Sequence, residues 1–277
     1  MSIWKKYQGV LLPKIPPHKT IQITKEEAKK LLKENSALLI RWSSTFDDEN
    51  ENTFWYVIKD SECSMEELSS NTRSKVRRGL KKLTVKKISK EDLLKLGGYN
   101  VYLAANESYN HYVPPMNEGD FNDFILSYDD EDCHFWGVFL KESDKLVAYS
   151  QNLIIDDYCD YSIIKFHPKY LRYYLSYALF YEMNSYYLNE KGFRYVNDGP
   201  RSMGHDTNIQ EFLISKFKFK KAYSKLELYY SLKVKIAIFI LYPFRKLFYK
   251  SSKNIFKKIG VLLKQHEIYM NQNSTTT

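Results

Sequence analysis

The sequence predicts a mixed α/β (α+β) fold with a central, mostly antiparallel sheet flanked by helices. The first observation is composition, because the 277 residues are 44% hydrophobic and 16% aromatic, enough to bury a core. The second is a run of three strand patterns between residues 134 and 165, joined by short polar turns as in a meander. The third is that helical patterns flank this run, so the elements from residue 84 onwards follow the order β-α-α-β-β-β-α-β-α-β-β.

Residues 1–83 are predicted to form an N-terminal α/β extension. Thr24 with Glu27, and Ser64 with Glu67, match the capping box, in which side chains close the first turn of a helix. Apolar runs of strand length lie between the two helices that these boxes would open. The predicted elements are helices at residues 24–34 and 64–82 and strands at residues 37–42 and 54–58.

The second of these helices continues into a strongly basic stretch. Residues 73–90 contain nine lysine or arginine residues and no acid. One interpretation is a solvated helix face. The other is a surface that contacts the phosphates of an RNA such as tRNA.

Residues 84–232 contain the elements that define the fold class. Glu142-Ser143-Asp144 and Asp156-Asp157 are polar turns of hairpin length, and Gly192 stands where a long helix should end. The predicted strands are residues 84–88, 134–140, 145–155, 158–165, 193–197 and 221–231, and the predicted helices are residues 91–109, 120–128, 171–190 and 208–217.

Residues 233–277 are predicted to form a basic, amphipathic C-terminal arm. Residues 233–264 hold nine bases and no acid, so they carry the net charge of +9, while the rest of the chain is nearly neutral. The apolar run at residues 236–244 is far shorter than the roughly 20 residues of a membrane-spanning helix, and Pro243 should break the helix there. One apolar stripe then recurs at steps of three or four residues: Phe244, Leu247, Phe248, Ser251, Ile255, Ile259 and Leu262.

This pattern favours an arm that lies on an anionic membrane surface through residues 233–264. The alternative is a helix that packs against its own domain or a partner. The N-terminal residues show no signal-peptide pattern, and three scattered cysteines favour a reducing compartment. We therefore expect a cytoplasmic protein associated peripherally with the inner face of the cell membrane.

The order of elements over residues 84–231 resembles that of the GNAT acyltransferases. The strand at residues 158–165, followed by His167-Pro168-Lys169-Tyr170 and a long helix, resembles the donor-binding strand and pyrophosphate loop of that family. The Lys216-Phe217-Lys218-Phe219 run resembles the stop after its last helix. The basic residues 73–82 are similar to the Arg-Lys-rich helix of Fem-type aminoacyltransferases, which are GNAT relatives. The likeness implies a GNAT-like catalytic domain at residues 84–232.

The same resemblance implies acyl-CoA, for example acetyl-CoA, as co-substrate. Lys165, His167, Lys169 and Arg172 are then the residues expected to hold it. The loop departs from the family pattern because it contains no glycine, and Ile214 or Ser215 falls where the family's tyrosine acid would stand. Lys169 and Arg172 would supply charge to a phosphate in place of close backbone N–H groups.

Reactive side chains concentrate in two loops. The predicted loop at residues 198–207 and the connection near residue 110 combine carboxylates, histidines and tyrosines, which suit proton transfer and the binding of a saccharide or peptide. The alternatives are helix caps and a Pro-Pro turn with surface aromatics. The candidate catalytic residues are Asp198, His205, Asp206 and Glu107, and the candidate substrate-binding residues are Tyr109, His111, Tyr112, Arg201 and Asn208.

Three functions follow from these patterns. The first is transfer of an acyl group from acyl-CoA to an amino group, for example of an amino sugar or lipid-linked saccharide of cell-surface polysaccharide. The second is Fem-like transfer from aminoacyl-tRNA, with residues 73–90 on the RNA. The third is a non-catalytic binding module at the membrane. The histidines show no ligand spacing, and we expect no metal.

Overall fold

The computed structural model describes residues 3–108, 114–203, 208–249 and 254–274. The strands are β1 (Trp4–Tyr7), β2 (Val10–Pro13), β3 (Leu39–Ser43), β4 (Trp55–Lys59), β5 (Leu83–Ile88), β6 (Cys133–Leu140), β7 (Leu146–Ile155), β8 (Tyr158–Phe166), β9 (Tyr195–Pro200), β10 (Lys220–Tyr223) and β11 (Leu226–Tyr230). The helices are α1 (Lys25–Glu34), α2 (Ser70–Lys82), α3 (Lys90–Lys95), α4 (Gly98–Glu107), α5 (Glu118–Leu126), α6 (Leu175–Asn184), α7 (Ile209–Phe217), α8 (Leu232–Leu241), α9 (Arg245–Tyr249) and α10 (Asn254–Ser274).

These elements form two compact units. Unit 1 comprises residues 1–57, 200–208 and 221–277, and unit 2 comprises residues 58–199 and 209–220. The sequence places domain boundaries at residues 83 and 232, which mark the limits of the expected catalytic domain. This division of the chain remains a prediction.

The sheet of unit 2 confirms the predicted mixed, mostly antiparallel arrangement. β5, β6, β7 and β8 pair antiparallel in that order, and β9 pairs parallel to β8. The two predicted hairpin turns contain aspartates with positive φ, Asp144 at 50° and Asp156 at 53°. Aspartate tolerates this conformation better than most residues do, which explains the polar turn sequences.

The side chains of β6 alternate between two different cores. Cys133 and Phe135 face an apolar cluster made with α3, α4 and α5. Trp136 and His134 face the opposite side, where both contact the hydroxyl of buried Tyr187 at 2.9 and 3.2 Å. The two-residue period of a strand therefore places helices on both faces of the sheet.

Three predicted helices have different boundaries. The helix predicted at residues 91–109 is divided at Gly97, whose φ of +88° suits glycine and ends α3. The helix predicted at residues 171–190 begins as a 3₁₀ turn, Pro168–Tyr173, and α6 starts only after Tyr174, which has a left-handed φ of 62°. The Ser64 capping box closes a turn, whereas α2 is capped by Ser69.

Unit 1 contains a four-stranded sheet in the order β1-β2-β3-β11. Helix α1, with the predicted Thr24–Glu27 capping box, covers one core that includes Leu11 and Ile40. A second core joins β11 to α8 and α10, for example through Leu228. The β1–β2 hairpin was not predicted, because its strands are four residues long and only one side chain in each is buried.

Candidate functional site

The parallel strands β8 and β9 separate where three polar side chains meet. In the parallel ladder between them Tyr158 pairs with Tyr195, Cys159 with Val196, and Asp160 with Asn197. Beyond this point β8 continues to Phe166 beside β7. Ligands in open α/β sheets gather beyond the carboxyl ends of parallel strands, so this is where a substrate would be expected.

Asp198 lies in the C-terminal half of β9 and is the central titratable group of this site. Asn197 next to it donates to the Asp160 carboxylate at 2.8 Å and accepts from the Gly199 N–H at 2.9 Å. Gly199 has a φ of +83°, a conformation in which a side chain would be strained. Glycine therefore suits the position next to Asp198 in β9.

The electrostatics of Asp198 suit proton transfer near neutral pH. Burial raises its pKa from 3.8 to about 7, the negative charge of Asp160 adds to the shift, and a hydrogen bond from Gln210 opposes it. A carboxyl with this pKa is about half ionised at pH 7 and can both accept and return a proton. The strand was predicted to end at Asn197, but it extends through Asp198 to Pro200.

In the turn after β8, several backbone N–H groups already donate hydrogen bonds to acceptors within the turn. The N–H of Lys169 donates to His167 Nδ1 at 3.3 Å, and those of Tyr170 and Tyr174 donate to carbonyls at 3.1 and 3.0 Å. The Arg172 guanidinium stacks over the Tyr173 ring at 5.0 Å from its centroid. Lys169 and Arg172 are exposed, so charge is available here even though these backbone donors are engaged.

Helix α2 brings its basic residues to the same turn. Arg78 Nη1 lies 3.5 Å from the Tyr174 hydroxyl, and Lys82 Nζ lies 4.9 Å from the centroid of Tyr173. Gly79 allows the close approach, since a Cβ there would stand 3.2 Å from the Tyr174 carbonyl oxygen. Helix α2 and the turn after β8, which the sequence assigned to separate roles, therefore form one basic surface in unit 2.

A shallow groove of about 430 Å³ lies along the exposed side of α2. The residues that line it are Ser70, Arg73, Ser74, Arg77, Arg78 and Lys81. Four positive charges and two hydroxyls in one groove favour the binding of phosphates. Sequence periodicity predicted the basic face, but it could not predict that this face continues onto the tyrosine-rich turn.

The other predicted site residues are described by their own contacts. Lys165 Nζ lies over the Tyr102 ring at 5.7 Å, and Glu107 is exposed at the end of α4. In unit 1, Arg201 donates to the Thr53 carbonyl at 2.6 Å and stacks on Trp55 at 4.3 Å, while Asn208 is exposed. The remaining predicted residues, Tyr109, His111, Tyr112, His205 and Asp206, lie outside the described residues.

The cysteines do not offer a reactive thiolate. Cys63, Cys133 and Cys159 are unpaired and buried. Burial raises the pKa of the Cys159 thiol, as the sequence interpretation of a structural thiol implies. In the part of the chain that the structure describes, no three histidine, cysteine, aspartate or glutamate residues cluster as metal ligands.

The C-terminal arm is divided between the core and the surface. Phe248, Ile259 and Leu262 of the predicted stripe pack in the core of unit 1, whereas Phe244, Leu247 and Ile255 are exposed. The stripe is therefore not one membrane-facing surface, because the core of unit 1 uses half of it. No helix among the described residues is long and apolar enough to cross a bilayer.

Sequence comparison finds no matching family profile and no matching curated protein. Structure comparison finds FemX, with a TM-score of 0.57 and 12% identity over 85% of each chain. It also finds the C-terminal domain of a putative lysylphosphatidylglycerol synthetase from Agrobacterium fabrum, with a TM-score of 0.54 and 11% identity over 85% of this chain and 83% of that one. At these identities the similarity concerns the fold alone. The chain has the fold of FemX and of that synthetase domain, in agreement with the Fem-like fold that the sequence predicted.

Proposed function

We propose that this protein transfers an acyl or aminoacyl group to an amine, with Asp198 as the general base. The observation that carries the proposal is the half-buried Asp198 carboxyl, with a pKa of about 7, at the point where β8 and β9 separate. The acceptor nitrogen attacks the donor carbonyl carbon and its proton passes to Asp198. The bond from that carbon to the donor oxygen or sulfur then breaks, and the leaving atom takes up a proton.

The donor that the surface supports best is an aminoacyl-tRNA. Arginines bind phosphates through paired N–H groups, and the α2 groove contains Arg73, Arg77 and Arg78. The adjoining Tyr173 and Tyr174 offer rings for stacking on unpaired bases, which proteins use widely to bind RNA ends. The sequence likeness of residues 73–82 to the Arg-Lys-rich helix of Fem-type aminoacyltransferases is consistent with this donor.

Acyl-CoA is the second candidate donor. The exposed Lys169 and Arg172 at the start of α6 could pair with its phosphates. The geometry supports it less well, since a pyrophosphate approaches a helix start through free backbone N–H groups, and those of Lys169, Tyr170 and Tyr174 are already engaged.

The proposed acceptor is an amine on a saccharide or peptide of cell-surface polymers. Glu107 remains a second candidate for the catalytic acid or base. Peripheral attachment to the inner face of the cell membrane through residues 233–264 belongs to the same proposal. It is supported by the nine bases of this segment and would keep the enzyme near membrane-linked acceptors.

Binding measurements separate the two donors. We expect deacylated tRNA to bind the wild type with an affinity that falls steeply as salt rises, and the combined Arg77→Ala and Arg78→Ala variant to bind at least tenfold more weakly. The matched control is Lys29→Ala with Lys30→Ala on α1 of unit 1. Binding of acetyl-CoA that is lost on changing Lys169 and Arg172 to alanine, without tRNA binding, would favour the second donor.

Transfer is tested with labelled aminoacyl-tRNA or acetyl-CoA and a panel of amino sugars and lysine-containing peptides. We expect Asp198→Asn to lower the rate by 10²-fold or more without weakening donor binding. The wild-type rate should rise with pH through a midpoint near 7. Binding of a donor with no transfer to any amine of the panel would favour the non-catalytic alternative.

A further inference from the structure

Helix α8 in unit 1 has apolar side chains on both of its faces. Val234 and Ile238 point into the core shared with β11 and α10 and are 8% and 5% exposed. The opposite side carries a row of large apolar residues with solvent exposures of 52% to 83%. We call this row the α8 ridge, and its members are Leu232, Ile236, Phe239 and Ile240.

The α8 ridge follows helical spacing. Its members stand at steps of four, three and one, which places them on one side of the helix. Exposed apolar residues continue after the helix with Phe244 and Leu247, at 58% and 73%. A contiguous row of this kind is uncommon on a soluble surface and marks a site of contact.

The charges around the ridge determine what kind of contact suits it. Lys233 and Lys235 lie on α8 beside the ridge and are exposed, and Lys246 on α9 is exposed as well. Glu267, the acid of the arm, is already bonded to Arg245 at 2.9 Å and to Tyr249 at 3.0 Å. The exposed apolar surface is thus bordered by positive charge.

This combination disfavours a second copy of the same chain. A symmetric contact would bring the lysines of both copies together, which costs free energy in a partly desolvated interface. An anionic lipid surface suits both features, because acyl chains accept the apolar side chains and headgroup phosphates pair with the lysines.

The length of α8 fixes the mode of contact. Ten residues of α-helix extend about 15 Å, half the thickness of a bilayer core, so the helix would lie along the interface. The inner face of α8 stays in the protein core, so the ridge is available without unfolding the arm.

We propose that the α8 ridge inserts into the interface of an anionic bilayer while Lys233, Lys235 and Lys246 contact the headgroups. The inference rests on the proposed membrane location and specifies its surface, which differs from the stripe predicted from sequence. It is independent of the proposed transfer reaction.

The test is co-sedimentation of the full chain with vesicles of phosphatidylcholine alone or with about one third phosphatidylglycerol. We expect binding to the anionic vesicles only. Phe239→Asp should weaken it by 10-fold or more at every salt concentration, since it removes an inserted aromatic ring. Changing Lys233, Lys235 and Lys246 to glutamine should weaken it by roughly 100-fold at low salt and reduce the salt dependence. The matched control is Leu126→Asp, which alters an exposed leucine (47%) on α5 of unit 2.

A second variant gives a positive signal. In Phe239→Trp, brominated lipids should quench the introduced tryptophan when anionic vesicles are added. Absence of wild-type binding to anionic vesicles would overturn both the membrane location and this surface. Binding that is unchanged in Phe239→Asp, with no quenching in Phe239→Trp, would overturn the surface while leaving the membrane location standing. Neither result bears on donor binding or transfer.

Discussion

Asp198 should make unit 2 less stable as pH rises, and Asp198→Asn should remove this effect. Burial holds the carboxyl protonated in the folded state up to a pKa of about 7, against 3.8 without that environment. Between these values the folded protein keeps a proton that the unfolded chain releases. Stability contributed by this group is therefore lost as pH rises from about 4 to 7 and is constant above that.

The magnitude follows from the size of the shift. Each pKa unit corresponds to about 1.4 kcal/mol, so the whole shift from 3.8 to about 7 is on the order of 4 kcal/mol. Between pH 5 and pH 8, the contribution of Asp198 to the free energy of unfolding should fall by about 2 to 3 kcal/mol. Asparagine has nearly the same shape as aspartate and does not ionise. The free energy of unfolding of the variant, relative to that of the wild type, should therefore rise by this amount from pH 5 to pH 8.

The assay is urea unfolding of both proteins at pH 5 and pH 8, monitored by a probe in unit 2. Other groups contribute equally to both proteins and cancel in the comparison. Asp123→Asn, which changes an exposed aspartate on α5, is the matched control. A difference between Asp198→Asn and the wild type that is the same at both pH values would refute the reasoning, because it would show that Asp198 ionises normally in the fold.

Three further predictions concern unit 2. Burial, together with nearby lysines, lowers the pKa of His134 to about 4, so its ring should remain neutral down to pH 5 in an NMR titration, and stability should fall as pH drops from 6.5 towards 4; a midpoint near 6 would contradict this. Glu67→Ala should lower the free energy of unfolding in urea by about 3 to 5 kcal/mol, because it leaves the buried Lys59 ammonium without its carboxylate at 2.8 Å. Lys59→Met should lower it less, since it removes the charge itself. Equal losses would show that the buried charge is tolerated. Gly79→Ala should lower the Tm, because the new Cβ would stand 3.2 Å from that of Ala178. This crowding should outweigh the preference for alanine over glycine in a helix, which is about 1 kcal/mol. A higher Tm would show that α2 can move aside.

The meander was predictable because local signals agree there. In β6, apolar residues on both faces and a polar turn ending in Asp144 lead to one topology, since a hairpin-length loop can join only antiparallel neighbours. The capping box at Thr24 also gave the correct helix start, as its hydrogen bonds form within four residues.

Features that depend on distant contacts were not predictable. The 3₁₀ turn before α6 and the left-handed Tyr174 are held against α2, about one hundred residues earlier in the chain. The apolar stripe of the arm had the right period but was assigned to one environment, because periodicity does not distinguish a membrane from a protein core. Asp198 was recognised by its position and residue type, whereas its pKa depends on burial and on Asp160.

The pairing of β3 with β11 has a consequence for synthesis on the ribosome. Leu39 in β3 pairs with Tyr230 in β11, and the core beneath them also includes Leu263 and Ile268. Unit 1 therefore cannot close its core until nearly the whole chain has left the exit tunnel, whereas every residue of unit 2 has been synthesised by residue 220. In a released fragment that ends at residue 225, unit 2 should resist protease while residues 1–57 remain open to cleavage. The order of folding then runs against the order of synthesis, with the first residues made among the last to be packed.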